Sequence, residues 1–188
     1  IMETTLKAYD NLQVVPGAVL TLNFEETMGP GPFQIAGTLP YYITTPIVMK
    51  ILEERVPATK MVFMVQKEVA DRMTAAPGGK DYGALSVAVQ YFTEAKKLFD
   101  VPASAFMPPP AVDSAVILCT MRTTAPVSVP SEKLFFRVVR AAFGQRRKTL
   151  ANSLQGCGFD KAAVTAMLKI TGIDGQRRGE TLSMEEFA

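Results

Sequence analysis

The chain has 188 residues, 48% of them apolar and 20% charged, with a net charge of +2 and no histidine. That length suits one domain or a domain with a small companion, and the lack of histidine excludes Ser-His-Asp and Cys-His catalysis and the usual zinc sites, so no metal is expected. No apolar run approaches the ~20 residues of a membrane helix, no signal peptide is visible, and Cys119 and Cys157 lie far apart without metal-ligand spacing, which together suggest a cytoplasmic protein with reduced thiols and no membrane partner.

The first residues already follow a helical pattern, with Met2, Leu6 and Tyr9 at near-helical spacing and no N-cap before them, so we read the sequence as an N-terminally truncated segment. Residues 12–15 read as a short strand closed by Pro16-Gly17, and an apolar stretch over 19–22 precedes a loop with Gly29-Pro30-Gly31-Pro32. Residues 33–37 form the next strand, and Gly37-Thr38-Leu39-Pro40-Tyr41-Tyr42 a tight turn after it. A helix over 46–55 then follows, with Thr45 as N-cap and Pro46 in the first position. The turn puts Tyr41 at the carboxyl end of a strand, where open α/β sheets bind ligands.

The apolar run 61–65 is typical of a strand buried on both faces. Helices follow from Gln66-Lys67-Glu68 to the stop at Pro77 and over 83–92, then a strand near 95–99, the loop Phe106-Met107-Pro108-Pro109-Pro110 and a strand over 114–121. This alternation argues a largely parallel α/β sheet, with the last two strands as an antiparallel edge. Gln66 and Glu68 have a bland reading as strand-end hydrogen-bonding groups, which we hold for Glu68, and Asp113 reads as a structural loop carboxylate.

We divide the chain into an α/β domain (1–123), a proline-punctuated linker (124–130) and a helical domain (131–188). Ser131 caps a helix bearing Leu134, Phe135, Val138, Val139 and Ala142. A basic helical stretch over 145–154 follows, and Asp160 caps a helix over 161–170 that Gly172 closes. Ser183-Met184-Glu185-Glu186 has capping-box spacing. Residues 1–130 hold ten Lys/Arg against twelve Asp/Glu (−2), and 131–188 hold ten against six (+4), which suggests an anionic partner for the second part. Arg146, Arg147 and Lys148 cannot share one helical face. With Arg137 and Arg140 two turns earlier they make a basic ridge for RNA phosphates, which Lys67 and Arg72 near the mouth of the sheet extend. The bland alternative is a solvated helix face.

Asn-Leu-Pro-Tyr is the catalytic loop of adenine amino-methyltransferases, and Thr38-Leu39-Pro40-Tyr41 resembles it. The stretches 37–49, 65–73, 82–86, 106–116, 142–150 and 177–183 resemble the ribosomal RNA adenine dimethyltransferases of the KsgA type, so the likeness covers nearly the whole chain from Val14 onward. It implies the second half of a Rossmann-like class I S-adenosylmethionine-dependent methyltransferase sheet, followed by a small all-α RNA-binding domain. The implied activity is dimethylation of the N6 amines of adenosines in small-subunit (16S-type) ribosomal RNA, linked to maturation of the small-subunit particle, by a monomer.

Adenine's amine is a poor nucleophile because its lone pair is delocalised into the ring. Two fixed acceptors can take its hydrogens and aim the lone pair at the methyl carbon without a general base. The resemblance assigns these acceptors to residue 38 and the carbonyls at Leu39-Pro40, with Tyr41 and Phe106 stacking on the extruded base. Thr38 stands where the family has Asn, and Ala18 where it usually has an Asp that contacts the donor's adenine. The family's glycine-rich turn after the first strand and acidic residue after the second strand are not in this sequence, which leaves Ala18 and Thr38 as the cofactor-side positions. A threonine hydroxyl in place of the carboxamide displaces the acceptor by about an ångström, which can cost on the order of a hundredfold in rate. The alternatives are a weakly active or inactive ribosome-assembly protein of the same fold, and a large-subunit methyltransferase of the macrolide-resistance type. The segment Gln145-Arg146-Arg147-Lys148-Thr149-Leu150 favours the small-subunit enzyme.

Overall fold

In the computed structural model, which describes Thr5 and residues 9–188, four strands form one sheet. They are β1 (Phe33–Thr38), β2 (Ala58–Gln66), β3 (Thr93–Val101) and β4 (Ser114–Met121), in the order β1-β2-β4-β3. β1 pairs parallel to β2, whereas β4 runs antiparallel to both β2 and β3. Three strands therefore share a direction, as the β-α-β alternation requires. The antiparallel pairing expected of the last two strands is found at this edge, with the reversed strand β4 inserted between β2 and β3. β4 is an inner strand and β3 the edge.

The helices α1 (Phe24–Met28), α2 (Thr44–Glu53), α3 (Lys67–Thr74) and α4 (Ala84–Phe92) belong to this part. α4 packs against both α2 and α3, so these three share one side of the sheet. Met61, Phe63 and Val65 point into that side and are fully buried, while Val62 between them stays 36% exposed. β2 therefore alternates, and the expectation of burial on both faces fails because the described helices cover only one. Residues 12–15 form no strand and are exposed, and Val19–Thr21 is a 3-10 turn. The helical pattern at Met2 and Leu6 lies outside the described residues.

No regular element lies between Met121 and Glu132. Beyond it come α5 (Glu132–Gly144), α6 (Leu150–Gly156), α7 (Lys161–Thr171) and the short α8 (Met184–Phe187). Ser131 caps α5 by accepting from the Leu134 N–H at 3.3 Å, and Asp160 caps α7 by accepting from Ala163 at 2.9 Å. Gly172 closes α7 in the left-handed conformation, φ +69°. The predicted basic helix over 145–154 is corrected. α5 ends at Gly144, Lys148 N–H bonds back to the Gln145 carbonyl at 2.9 Å, and Thr149 caps a new helix by accepting from Asn152. Arg146, Arg147 and Lys148 occupy a turn, because glycine and a capping threonine within six residues break the helix.

One hydrophobic core runs through both parts. Tyr91 and Phe92 of α4 meet Phe135 and Phe136 of α5, with Phe92 and Phe136 stacked at 5.4 Å between centroids. Arg55 holds φ +54° after α2, where its guanidinium lies 4.7 Å from the Phe92 ring centre and grips Glu132 at 2.5 and 2.7 Å. Tyr91 Oη adds a third bond to that carboxylate, at 3.0 Å. Arg55 first, then Tyr91, hold the Glu132 carboxyl below its ordinary range against the opposing effect of burial. Of the two thiols, Cys157 is exposed, while burial raises that of Cys119 to about 11. Among the described residues no helix is long and apolar enough to cross a membrane.

Candidate active site

The β1–α2 turn is shaped by one missing donor. Leu39 N–H extends the β1–β2 pairing to the Met64 carbonyl at 3.1 Å, and Pro40, with no N–H, ends it. Tyr41–Ile43 then form a 3-10 turn. α2 starts at Thr44 rather than at the expected Pro46, and Thr45 caps nothing. Instead, the buried Thr44 hydroxyl donates to the Pro40 carbonyl at 3.0 Å, and Ile43 N–H reaches the same oxygen at 3.2 Å. The Pro40 carbonyl is thereby occupied. Among the described residues no donor bonds the Leu39 carbonyl or the exposed Thr38 hydroxyl.

Phe106 comes from the opposite side of the sheet's carboxyl edge. After β3, Ala103–Ala105 make a 3-10 turn, and Phe106 N–H closes it on the Ala103 carbonyl at 3.2 Å. Asp113 Oδ1 accepts from Ala103 N–H at 2.9 Å, in line with the structural role read from sequence. A cleft of about 360 Å³ results, lined by Thr38, Leu39, Pro40, Tyr41, Met64, Phe106, Pro108 and Pro110. All five residues expected at the reacting amine or on the faces of the base are thus brought together. Tyr41 is half-buried, its Oη 2.7 Å from Ser114 Oγ at the start of β4.

Sequence reasoning missed Met64 and Ser114. Met64 sits opposite Thr38 in the β1–β2 register, so strand pairing could have found it. Ser114 is 73 positions from Tyr41, and no local pattern connects them. Ala18 is not in the cleft. It precedes the turn Val19–Thr21, and its carbonyl accepts from the Thr21 N–H and hydroxyl at 2.9 and 3.0 Å. The methyl side chain of Ala18 offers no acceptor, and the expected cofactor-side positions Ala18 and Thr38 do not by themselves fit S-adenosylmethionine.

The basic residues are dispersed. Lys67 pairs with Asp100 at 2.6 Å, and Lys97 pairs with Asp71 at 2.7 Å and Asp100 at 3.4 Å. Asp100 raises the Lys67 ammonium above its ordinary range, and Lys67 in turn lowers the Asp100 carboxyl. Arg72 and Arg146 line one groove together with Glu68, Lys80 and Asp81, and Arg146 donates to the Lys80 carbonyl. Arg137 instead lies over the Phe159 ring at 4.4 Å, and Arg140 faces Glu53 at 3.7 Å. Arg147 and Lys148 are exposed, with no side-chain partner among the described residues. The single ridge expected from sequence is thus divided between the groove, the turn and two separate contacts of α5.

A profile of the family described as ribosomal RNA adenine dimethylase matches residues 1–188. The ribosomal RNA small subunit methyltransferase A of Clostridioides difficile (strain 630) is 51% identical, over all of this chain and 67% of that protein. The protein of the same name from Geobacillus thermodenitrificans (strain NG80-2) is 50% identical, again over 100% of this chain and 67% of its own length. A dimethyladenosine transferase from Plasmodium falciparum shares the fold, with a TM-score of 0.79 at 23% identity over 98% of this chain and 73% of its own. The 23S rRNA methyltransferase ErmE superposes with a TM-score of 0.68 at 25% identity, over 99% and 73%.

Proposed function

Since the chain belongs to the ribosomal RNA adenine dimethylase family, we propose that it serves the N6 methylation of adenosines in small-subunit ribosomal RNA, up to the dimethylated base, during assembly of that subunit. The observation that carries this is the cleft in which Thr38 and Leu39 meet Tyr41 and Phe106. An adenine turned out of the RNA stacks between the two rings. Its amine donates one hydrogen to the Leu39 carbonyl, the acceptor that the turn leaves open, and the other to the Thr38 hydroxyl. Pro40 does not serve as acceptor, since Thr44 and Ile43 hold its carbonyl. Its part is to end the strand pairing and so leave the Leu39 carbonyl beside the cleft without a backbone donor among the described residues. Holding both hydrogens draws the nitrogen toward tetrahedral geometry and directs its lone pair outward.

S-adenosylmethionine is the methyl donor of the family. Within this chain the reading concerns the base-accepting side only. The groove of Arg72 and Arg146, together with Arg147, Lys148 and Lys67, supports contact with RNA phosphates. We assign the α/β unit to 1–123, the linker to 124–130 and the RNA-binding helical unit to 131–188, in a cytoplasmic monomer.

A second reading, an RNA-binding assembly protein without efficient transfer, is favoured by Thr38 and Ala18. The test is to incubate the protein with unmethylated small subunits and labelled donor, then separate the RNA nucleosides. N6,N6-dimethyladenosine supports the enzyme. Bound RNA without methylated adenosine overturns it in favour of the second reading.

A further inference from the structure

Tyr41 and Phe106 sit on loops far apart in sequence, yet both are tied to one dipeptide. Ser114, fully buried at the first position of β4, has its Oγ 2.7 Å from Tyr41 Oη. Asp113 accepts from Ala103 N–H at 2.9 Å, three residues ahead of Phe106, and its carbonyl accepts from Lys67 N–H at 3.0 Å. Ser114 is also paired on both sides, with Gln66 of β2 and Val101 of β3. It is therefore among the least movable points near the cleft.

We propose that Asp113-Ser114 is a positioning element that sets the separation and tilt of the Tyr41 and Phe106 rings, and so the slot that accepts a planar base. The proposal rests on the reading of the cleft as the adenine site. Tyr41 lies on a half-exposed turn, where its hydroxyl bond to β4 holds the ring's outer end. Phe106 stands in the loop 102–113, whose only regular piece is the turn Ala103–Ala105. A carboxylate on that turn's first N–H is a charge-assisted bond that holds the loop to the strand. Neither Asp113 nor Ser114 lines the cleft. Both act through the rings.

Ser114→Ala and Tyr41→Phe remove the same hydrogen bond from opposite ends, and Tyr41→Phe does so without altering the buried strand. Asp113→Ala removes the loop tether, whereas Asp113→Asn keeps an acceptor. The first readout is the aromatic carbon-13 NMR spectrum of the RNA-free protein. The ring at position 41 is expected to broaden or split in Ser114→Ala and Tyr41→Phe, and the Phe106 ring in Asp113→Ala, with recovery in Asp113→Asn. The second is methyl transfer to small-subunit RNA, where kcat should fall about tenfold with KM for RNA little changed. The Ser114→Ala/Tyr41→Phe double variant should be no slower than either single variant, since both remove one bond. Rings that stay sharp in Ser114→Ala and Asp113→Ala overturn the proposal, as does an unchanged kcat in variants whose rings have loosened. Loosened rings in a protein whose wild type takes no unstacked adenine between them leave the tether standing and remove the adenine assignment instead.

Discussion

Thr38 ends β1 with an exposed hydroxyl that no group in the described chain engages, beside a Leu39 carbonyl that is also open. If these two oxygens receive the amine, the shorter side chain is the weaker acceptor. Thr38→Asn should raise the single-turnover rate by up to about a hundredfold, and Thr38→Val should lower it below that of the native chain. Identical rates in all three would assign the task to the Leu39 carbonyl alone. The motif at 38–41 is legible in sequence because proline and the strand end act locally. The choice between the Leu39 and Pro40 carbonyls is not. It depends on Thr44 folding back over the turn, a contact that the expected cap at Thr45 hides. The same limit applies to Ser114, whose partner is fixed only when β4 enters the sheet.

At the scale of elements, the termini of helices were readable where the caps are strong. Ser131, Asp160, Gly172 and Ser183 each end or start a helix as their residue types dictate. Strand order was not readable, because alternation gives the faces of β4 but not the neighbours between which it inserts. The segment 177–183 shows what its residues achieve physically. Arg177 clasps Glu186 of α8 with two N–H groups, and Ser183 and Glu186 complete a capping box. Arg177 is the main cause that pulls the Glu186 carboxyl down to about 2, with Ser183 N–H next. An unfolded glutamate titrates near ~4.3. The depressed folded value means that this contribution is complete above that pH and is lost as pH falls toward 2. Hydrogen exchange of α8 amides should therefore rise over that interval, and Arg177→Ala should remove most of the pH dependence. Gly179 is buried here, and a Cβ on it would come within 2.8 Å of the Ala142 carbonyl oxygen. Gly179→Ala should cost about 1–3 kcal/mol, read by denaturant melts, because α5 backbone cannot yield as a side chain could.

For the molecule as a whole, the linker that composition suggests does not separate two cores. The aromatic cluster of α4 and α5 and the Arg55–Glu132–Tyr91 contact join both parts into one. Thermal unfolding followed by fluorescence and by circular dichroism should give one coincident transition, and Phe136→Ala should shift that single midpoint rather than split it. Composition had announced an excess of cations in the second part, but their distribution follows from where α5 stops. Arg147 and Lys148 remain exposed without side-chain partners in the described chain, whereas Arg140 is paired with Glu53. Arg147→Ala and Lys148→Ala should each reduce the slope of log affinity against log salt by about 1 on small-subunit RNA, and Arg140→Ala by less.

The most direct measurement is the emission of 2-aminopurine placed in a single-stranded RNA oligonucleotide, titrated with the native protein, Tyr41→Ala and Phe106→Ala. A base that enters the cleft should change its emission on binding to the native protein, and both variants should lose that change while retaining most of the RNA affinity. Equal emission changes in all three proteins would contradict the central claim, since the base would then lie somewhere other than between these two rings.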